Sequence, residues 1–180
     1  GSGTQAEQTG KRLMGIEKVL QEEKPDVVLV EGDTNTVIAG ALAAAKLGIN
    51  VGHVEAGLRS HDRRMPEEIN RVLADHSSDF LFAPTEKSRQ ILLHEGIAEE
   101  KIFVTGNTVV DAVFQNLEIS KYRMNVVAVM NLLYGGYFVA TVHRQENVDD
   151  KVRFAGMLQG LTQVHGEYDL PVRYPIHACG

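Results

Sequence analysis

The sequence predicts an α/β fold built on a doubly wound parallel sheet. Three observations carry that reading. Short, almost wholly apolar runs recur at residues 26–31, 50–54, 79–83 and 101–105; each is followed by turn residues; and the stretches between them have helical periodicity. Strands covered on both faces by crossover helices lose the polar alternation of a half-exposed strand, so apolar runs alternating with helices are what such a sheet requires.

Taken in order, residues 5–24 place Leu13, Ile16, Val19 and Leu20 on one face with charges opposite, an amphipathic helix. Its Gly10-Lys11 pair is not a phosphate loop, because Gln5 and Arg12 stand where that motif needs a glycine and a Ser or Thr. Pro25 introduces the first strand, read as buried on both faces, and Gly32-Asp33-Thr34-Asn35-Thr36 turns it into an alanine-rich helix over 37–47 that stops at Gly48. Residues 50–54 are the next strand and 67–76 the next helix, with Pro66 at its first position. The strand at 79–83 leads through Pro84-Thr85-Glu86 into a helix ending before Gly96, and 101–105 is a fourth strand.

After Gly106-Asn107-Thr108 the pattern loosens. Residues 109–134 read mostly as helix, closed by Gly135-Gly136, then a fresh apolar strand at 137–142 ends on His143-Arg144-Gln145-Glu146-Asn147. A helix over 149–165 and a strand from Val172 to Ile176, with His177 at its edge, follow. This gives a partial first domain over 1–108, a connecting helical segment over 109–136 and the start of a second domain over 137–180. A start without methionine and an end inside an apolar segment make both ends read as cut.

Composition narrows the function. Of 180 residues, 43% are apolar and 23% charged, the balance of a globular protein, and a net charge of -6 leaves no basic footprint for nucleic acid. The longest uncharged apolar run, Val37 to Ala45, is too short and too alanine-rich to span a bilayer, so no membrane is expected. One cysteine, Cys179, has no companion for a disulfide or a metal site, which points to a reducing, cytosolic setting. No G-x-G-x-x-G fingerprint supports NAD or FAD, and neither cofactor nor metal is expected.

Carboxylates, cations and glycine concentrate in His53-Val-Glu-Ala-Gly-Leu-Arg59 and Met65-Pro-Glu-Glu-Ile-Asn-Arg71. The first places Glu55, Gly57 and Arg59 where a parallel strand leaves the sheet, the usual ligand edge of an open α/β sheet. The second starts a helix facing that edge, with Glu67 in its first turn. Each feature has a bland reading: a capped helix with a Glu67 to Arg71 pair at i,i+4, and Asp33 as an N-cap. Their closeness within one strand-to-helix loop favours a site. Arg59 and Arg71 read as partners holding Glu55 and Glu67, or as ligands of a substrate. His143 stands at a strand edge beside Arg144, which favours function over a structural histidine.

These motifs, together with Phe82-Ala-Pro-Thr85, Thr105-Gly-Asn-Thr108 and His143-Arg144-x-Glu146-Asn147, resemble in order those of the non-hydrolysing UDP-N-acetylglucosamine 2-epimerases. The resemblance implies a Rossmann-like sheet, two such domains in the glycosyltransferase-B arrangement, and a homodimer at full length. It implies UDP-N-acetylglucosamine as substrate and epimerisation at C2 by elimination and re-addition of UDP, for surface polysaccharide precursors. Asp33, Glu55 and Glu67 are then the acid/base candidates, with His143 in the catalytic set near the diphosphate. Arg59, Arg71, Arg144 and His177 are the substrate-binding candidates. The tail Tyr174-Pro-Ile-His177 matches the family pattern, whereas Ala178-Cys179-Gly180 departs from it. A hydrolysing relative, a glycosyltransferase of the same architecture and a non-catalytic nucleotide-sugar binder are the competing readings.

Overall fold

A computed structural model of the chain describes residues 3–142, 147 and 150–175. The chain divides into two units, Gly1–Phe114 and Gln115–Gly180.

In the first unit, Thr4 begins helix α1 (Gln5–Glu23) with a capping box: its hydroxyl accepts from Glu7 N–H at 3.2 Å while the Glu7 carboxylate accepts from Thr4 N–H at 2.8 Å. Lys24, left-handed at φ 48°, ends it ahead of Pro25. Strand β1 (Val27–Glu31), helix α2 (Asn35–Lys46), β2 (Asn50–Val54), α3 (Pro66–His76), β3 (Phe80–Ala83), α4 (Glu86–His94) and β4 (Ile102–Val104) follow. The α2 alanines let the helix lie close on the sheet: Ala39, Ala41 and Ala44 are fully buried. Thr34, not Asp33, occupies the α2 N-cap, and no side chain caps that helix, so the bland role for Asp33 is absent.

The four strands are parallel and ordered β1-β2-β3-β4. Register pairs Val28 with Val51, Val30 with His53, His53 with Leu81 and Leu81 with Ile102, so these side chains share one face. Helices cover that face. Val30 and Val51 pack with Leu20 of α1, Val37, Ala41 and Ala44 of α2 and Ala74 of α3; Leu81, Ala83 and Ile102 pack with Leu92 of α4. The opposite face carries Val27, Leu29, Phe80, Phe82 and Phe103, and Leu29 is 64% exposed. The expectation that the first strand is buried on both faces therefore holds on one face only. The physical reason is that sequential parallel strands joined by right-handed crossovers put their helices on one side.

Helix α5 (Thr108–Arg123) runs across the division between units and α6 (Val126–Val129) follows, so the stretch read as mostly helix consists of two helices that break at Met124-Asn125. Asn125 causes the restart by accepting from Ala128 N–H at 3.0 Å. In the second unit, β5 (Phe138–Val139) pairs in parallel with β6 (Val172–Arg173), joined by α7 (Lys151–Tyr168). Asp150 caps α7 through Val152 and Arg153 N–H. Both strands are shorter than the sequence suggested, and Ile176 lies outside the described residues. Among the described residues no helix is long and apolar enough to cross a membrane.

Candidate active site

The turns after β1 and β2 and the start of α3 meet at the carboxyl edge of the sheet, where ligands of open α/β sheets bind. Glu55 follows β2 directly and has φ 69°, a left-handed conformation that costs a non-glycine residue on the order of 1–2 kcal/mol. Its carboxylate lies over the β1 turn: a Cβ built on Gly32 would stand 3.8 Å from Oε2. Asp33 is in that same turn, and Glu67 is exposed in the first turn of α3. The structure thus brings Asp33 and Glu55 to adjoining turns and Glu67 to the helix start on the same edge.

Gly57 explains how the Glu55 turn is shaped. Its φ is 78°, and a Cβ there would lie 2.5 Å from the Ser88 carbonyl oxygen, so only glycine lets the turn pass this close to α4. Ala56 N–H donates to Phe82 O at 3.2 Å and Gly57 N–H to Asp75 Oδ2 at 3.1 Å. The turn is fixed from both sides.

Beneath it lies a buried charge network. Asp75 of α3 is 1% exposed; its Oδ1 meets His53 Nδ1 at 2.6 Å and its Oδ2 meets Arg59 Nη2 at 2.7 Å. His53, wholly buried, reaches the Gly32 carbonyl with Nε2 at 2.9 Å. Arg59 forks onto Glu95, with Nε to Oε1 at 2.9 Å and Nη2 to Oε2 at 2.6 Å, and Nη1 donates to Leu58 O at 2.8 Å. Burial alone would lower the Arg59 pKa, but hydrogen bonding to Glu95 and the charge of Asp75 outweigh it and raise it. A buried charge is tolerable only when paired in this way.

A second anchor is Glu68, 4% exposed. Its Oε2 accepts from Ser60 N–H at 2.8 Å and the Ser60 hydroxyl at 2.9 Å, and its Oε1 accepts from His61 N–H at 2.9 Å. Burial would raise this carboxyl, yet the Ser60 and His61 N–H groups, the Ser60 hydroxyl and the nearby Arg59 charge hold it below the usual carboxylate range. Arg71 bridges Glu68 and Asp33, its Nη2 pairing with Asp33 Oδ2. Asn70 Nδ2 donates to the Asp33 carbonyl at 2.8 Å and to Asn35 Oδ1 at 3.2 Å. Helix α3 therefore grips the β1 turn as well as its own loop.

Two expectations are corrected here. Arg59 pairs with Asp75 and Glu95 rather than Glu55, and Arg71 with Asp33 and Glu68 rather than Glu67. Arg59 lies outside α3 and reaches the buried Asp75, while residue 71 is within one helical turn of both 67 and 68 and pairs with Glu68, the buried one of the two. His143, Arg144 and His177 lie outside the described residues. Asp75, Glu68 and Glu95 were not singled out from the sequence. For two of them a signal existed: Glu68, Arg71 and Asp75 recur at i, i+3, i+7, the spacing of a single helix face.

The family model described as UDP-N-acetylglucosamine 2-epimerase matches residues 1–179. The UDP-N-acetylglucosamine 2-epimerase of Methanocaldococcus jannaschii is 59% identical over 179 residues, covering 98% of this chain and 49% of that protein. The enzyme of that name from Methanococcus maripaludis is 52% identical, with 98% and 49% covered. A crystal structure of the M. jannaschii enzyme in complex with UDP-GlcNAc and UDP superposes with a TM-score of 0.89 at 58% identity, covering 99% of this chain and 49% of that one. The chain spans about half the length of these relatives. With its Rossmann-like parallel sheet and a family match that runs from residue 1 to 179, the chain belongs to the UDP-N-acetylglucosamine 2-epimerase family.

Proposed function

We propose that this chain contributes the acid/base half of an enzyme that interconverts UDP-N-acetylglucosamine and UDP-N-acetylmannosamine. The supporting observation is the convergence of Asp33, Glu55 and Glu67 on one sheet edge, with the turns of the first two held by buried contacts. The C2 hydrogen of the sugar is not beside a carbonyl and is only weakly acidic. Its removal must be coupled to cleavage of the C1–O bond. One carboxylate takes the C2 proton, the C–H electrons form a C1=C2 double bond, and the C1–O electrons leave with UDP. Re-addition of UDP at C1, with a proton delivered to C2 from the opposite face, gives the epimer. Carboxylates on two sides of C2 serve this sequence; a glycosyltransferase has no use for them.

Within this reading Asp33, Glu55 and Glu67 supply the proton transfers. His143, Arg144 and His177 are assigned from sequence to the diphosphate, whose negative charge grows as the bond breaks. Arg71, with its side chain 21% exposed, holds Asp33 and can still face substrate. Arg59 is given a holding role, because its side chain is 1% exposed and its donors are engaged. No resident cofactor is required. At full length we expect two copies to associate, and the nucleotide-sugar substrate and single cysteine fit the cytosol.

The test uses a full-length chain carrying these residues, with UDP-N-acetylglucosamine followed by proton NMR in deuterated water. The expected result is UDP-N-acetylmannosamine in reversible equilibrium, with deuterium entering C2. Free N-acetylmannosamine with UDP would identify the hydrolysing reaction instead. Binding of UDP-sugar with no turnover would identify a non-catalytic binder.

A further inference from the structure

We propose that Asp75, buried beneath the site, is the positioning residue that holds the Asp33 turn and the Glu55 turn in one fixed geometry. The inference rests on the epimerase reading for its kinetic arm and on hydrogen bonds alone for its structural arm.

The two turns come from different strands. Through its own Oδ2, Asp75 takes the Gly57 N–H at 3.1 Å, two residues after the left-handed Glu55. Through Oδ1 it holds His53 Nδ1 at 2.6 Å, and His53 carries the link on to the Gly32 carbonyl at 2.9 Å, one residue before Asp33. A single carboxylate on α3 thus ties β1's exit to β2's exit. Arg59 secures it from the far side at 2.7 Å, itself clamped by Glu95.

Donor and acceptor counting shows how the link is wired. The Gly32 carbonyl only accepts, so His53 Nε2 donates to it, and the Nδ1–Oδ1 contact completes the link from Asp75. An asparagine at position 75 could keep the wiring by a different route. Its amide N–H₂ would donate to a neutral His53 Nδ1, and its oxygen would accept from Gly57 N–H and Arg59. Alanine keeps none of it. The turns would then rest on Asn70, Arg71 and the Ala56 contact to β3. Proton transfer at C2 depends on where two carboxylates stand, and a misplacement of about 1 Å costs on the order of a hundredfold in rate.

The experiment compares Asp75→Ala, Asp75→Asn and His53→Phe in the full-length chain, each assayed well below its own Tm and normalised to the fraction that binds UDP. Expected for Asp75→Ala is a fall in kcat of roughly a hundredfold with KM changed less than about threefold, because the acid/base groups move while the substrate contacts stay. Asp75→Asn should recover kcat to within about fivefold. If Asp75→Ala does not fold, His53→Phe decides: it removes the link from Asp75 Oδ1 to the Gly32 carbonyl while the Gly57 and Arg59 contacts of Asp75 Oδ2 remain, and kcat should fall at least tenfold. A residue that merely stabilised the fold would lower Tm in all three and leave normalised kcat alone, and that result overturns the proposal. If the wild-type chain turns over no UDP-N-acetylglucosamine, the epimerase reading has failed separately, and amide exchange at Gly57 still decides. Protection kept in Asp75→Asn and lost in Asp75→Ala supports the link; equal protection in both refutes it.

Discussion

Replacing Glu68 by glutamine changes one atom in the anchor of the site loop. The carboxylate serves three donors from Ser60 and His61, with Arg71 Nη1 at 3.4 Å as a fourth neighbour. Glutamine offers one oxygen. If that oxygen stays on Ser60, its NH₂ faces the His61 N–H, and a bond to a charged acceptor is exchanged for a donor against a donor. The loss is about 1–3 kcal/mol for one buried, unsatisfied pair. Read locally, opening of the loop becomes more frequent by a factor of roughly 5 to 150 at 25 °C. Amide exchange at Ser60 and His61 in the full-length chain measures this without requiring global unfolding. The pH dependence adds a sign. Because the folded Glu68 pKa lies below its unfolded value, its contribution is fully present above the unfolded pKa and is lost as pH falls through the folded one. The gap between wild type and Glu68→Gln should therefore narrow as pH drops below the ordinary carboxylate range. A gap that is constant down to strongly acidic pH, or no change in exchange at either amide, would refute the anchor.

Four further outcomes are expected. Glu55→Gln and Glu67→Gln should each lower turnover by roughly a hundredfold to ten-thousandfold with little change in substrate binding, measured by steady-state kinetics beside calorimetry. His143→Ala should weaken UDP affinity or turnover while Tm stays near wild type; a large fall in Tm at unchanged affinity would assign it to the fold. Gly57→Ala combines a left-handed φ of 78° with a Cβ only 2.5 Å from Ser88 O, and should cost about 2–5 kcal/mol in denaturant unfolding. Residues 1–180 expressed alone should show no epimerisation and should self-associate through the bare sheet face around Leu29, Phe80 and Phe103, seen by light scattering.

The strands and helices of the first unit were legible because each is bounded by punctuation with a mechanism: Pro25 before β1, Gly48 after α2, Pro66 opening α3, Thr85 capping α4. The bare sheet face was not. An apolar run such as Val27–Glu31 says that both faces are hydrophobic, and what covers each is decided by other parts of a structure. The site showed the same split. Glu55 and Asp33 stand out because a charged residue at a strand exit is conspicuous, whereas Asp75 looks like an ordinary acid near a helix end. Its partners come from positions 53, 57 and 59, brought near only by the β2–α3 crossover.

Helix α3 shows why reading it by hydrophobic periodicity alone misleads. Ile69 and Leu73, at i,i+4, are 41% and 49% exposed, while Glu68, Asn70 and Asp75 are buried. A polar inward face is costly unless every group is partnered, and here Glu68, Asn70 and Asp75 each have two or more partners. What that arrangement gains is directional. Apolar packing would hold α3 against the sheet but would leave the turns after β1 and β2 free to shift, since dispersion contacts do not specify angles as hydrogen bonds do. The neighbours Glu67 and Glu68 stand one helical step apart and differ accordingly: Glu67 is exposed, whereas Glu68 is buried, saturated with donors and held below the usual carboxylate range, which fixes the loop it anchors.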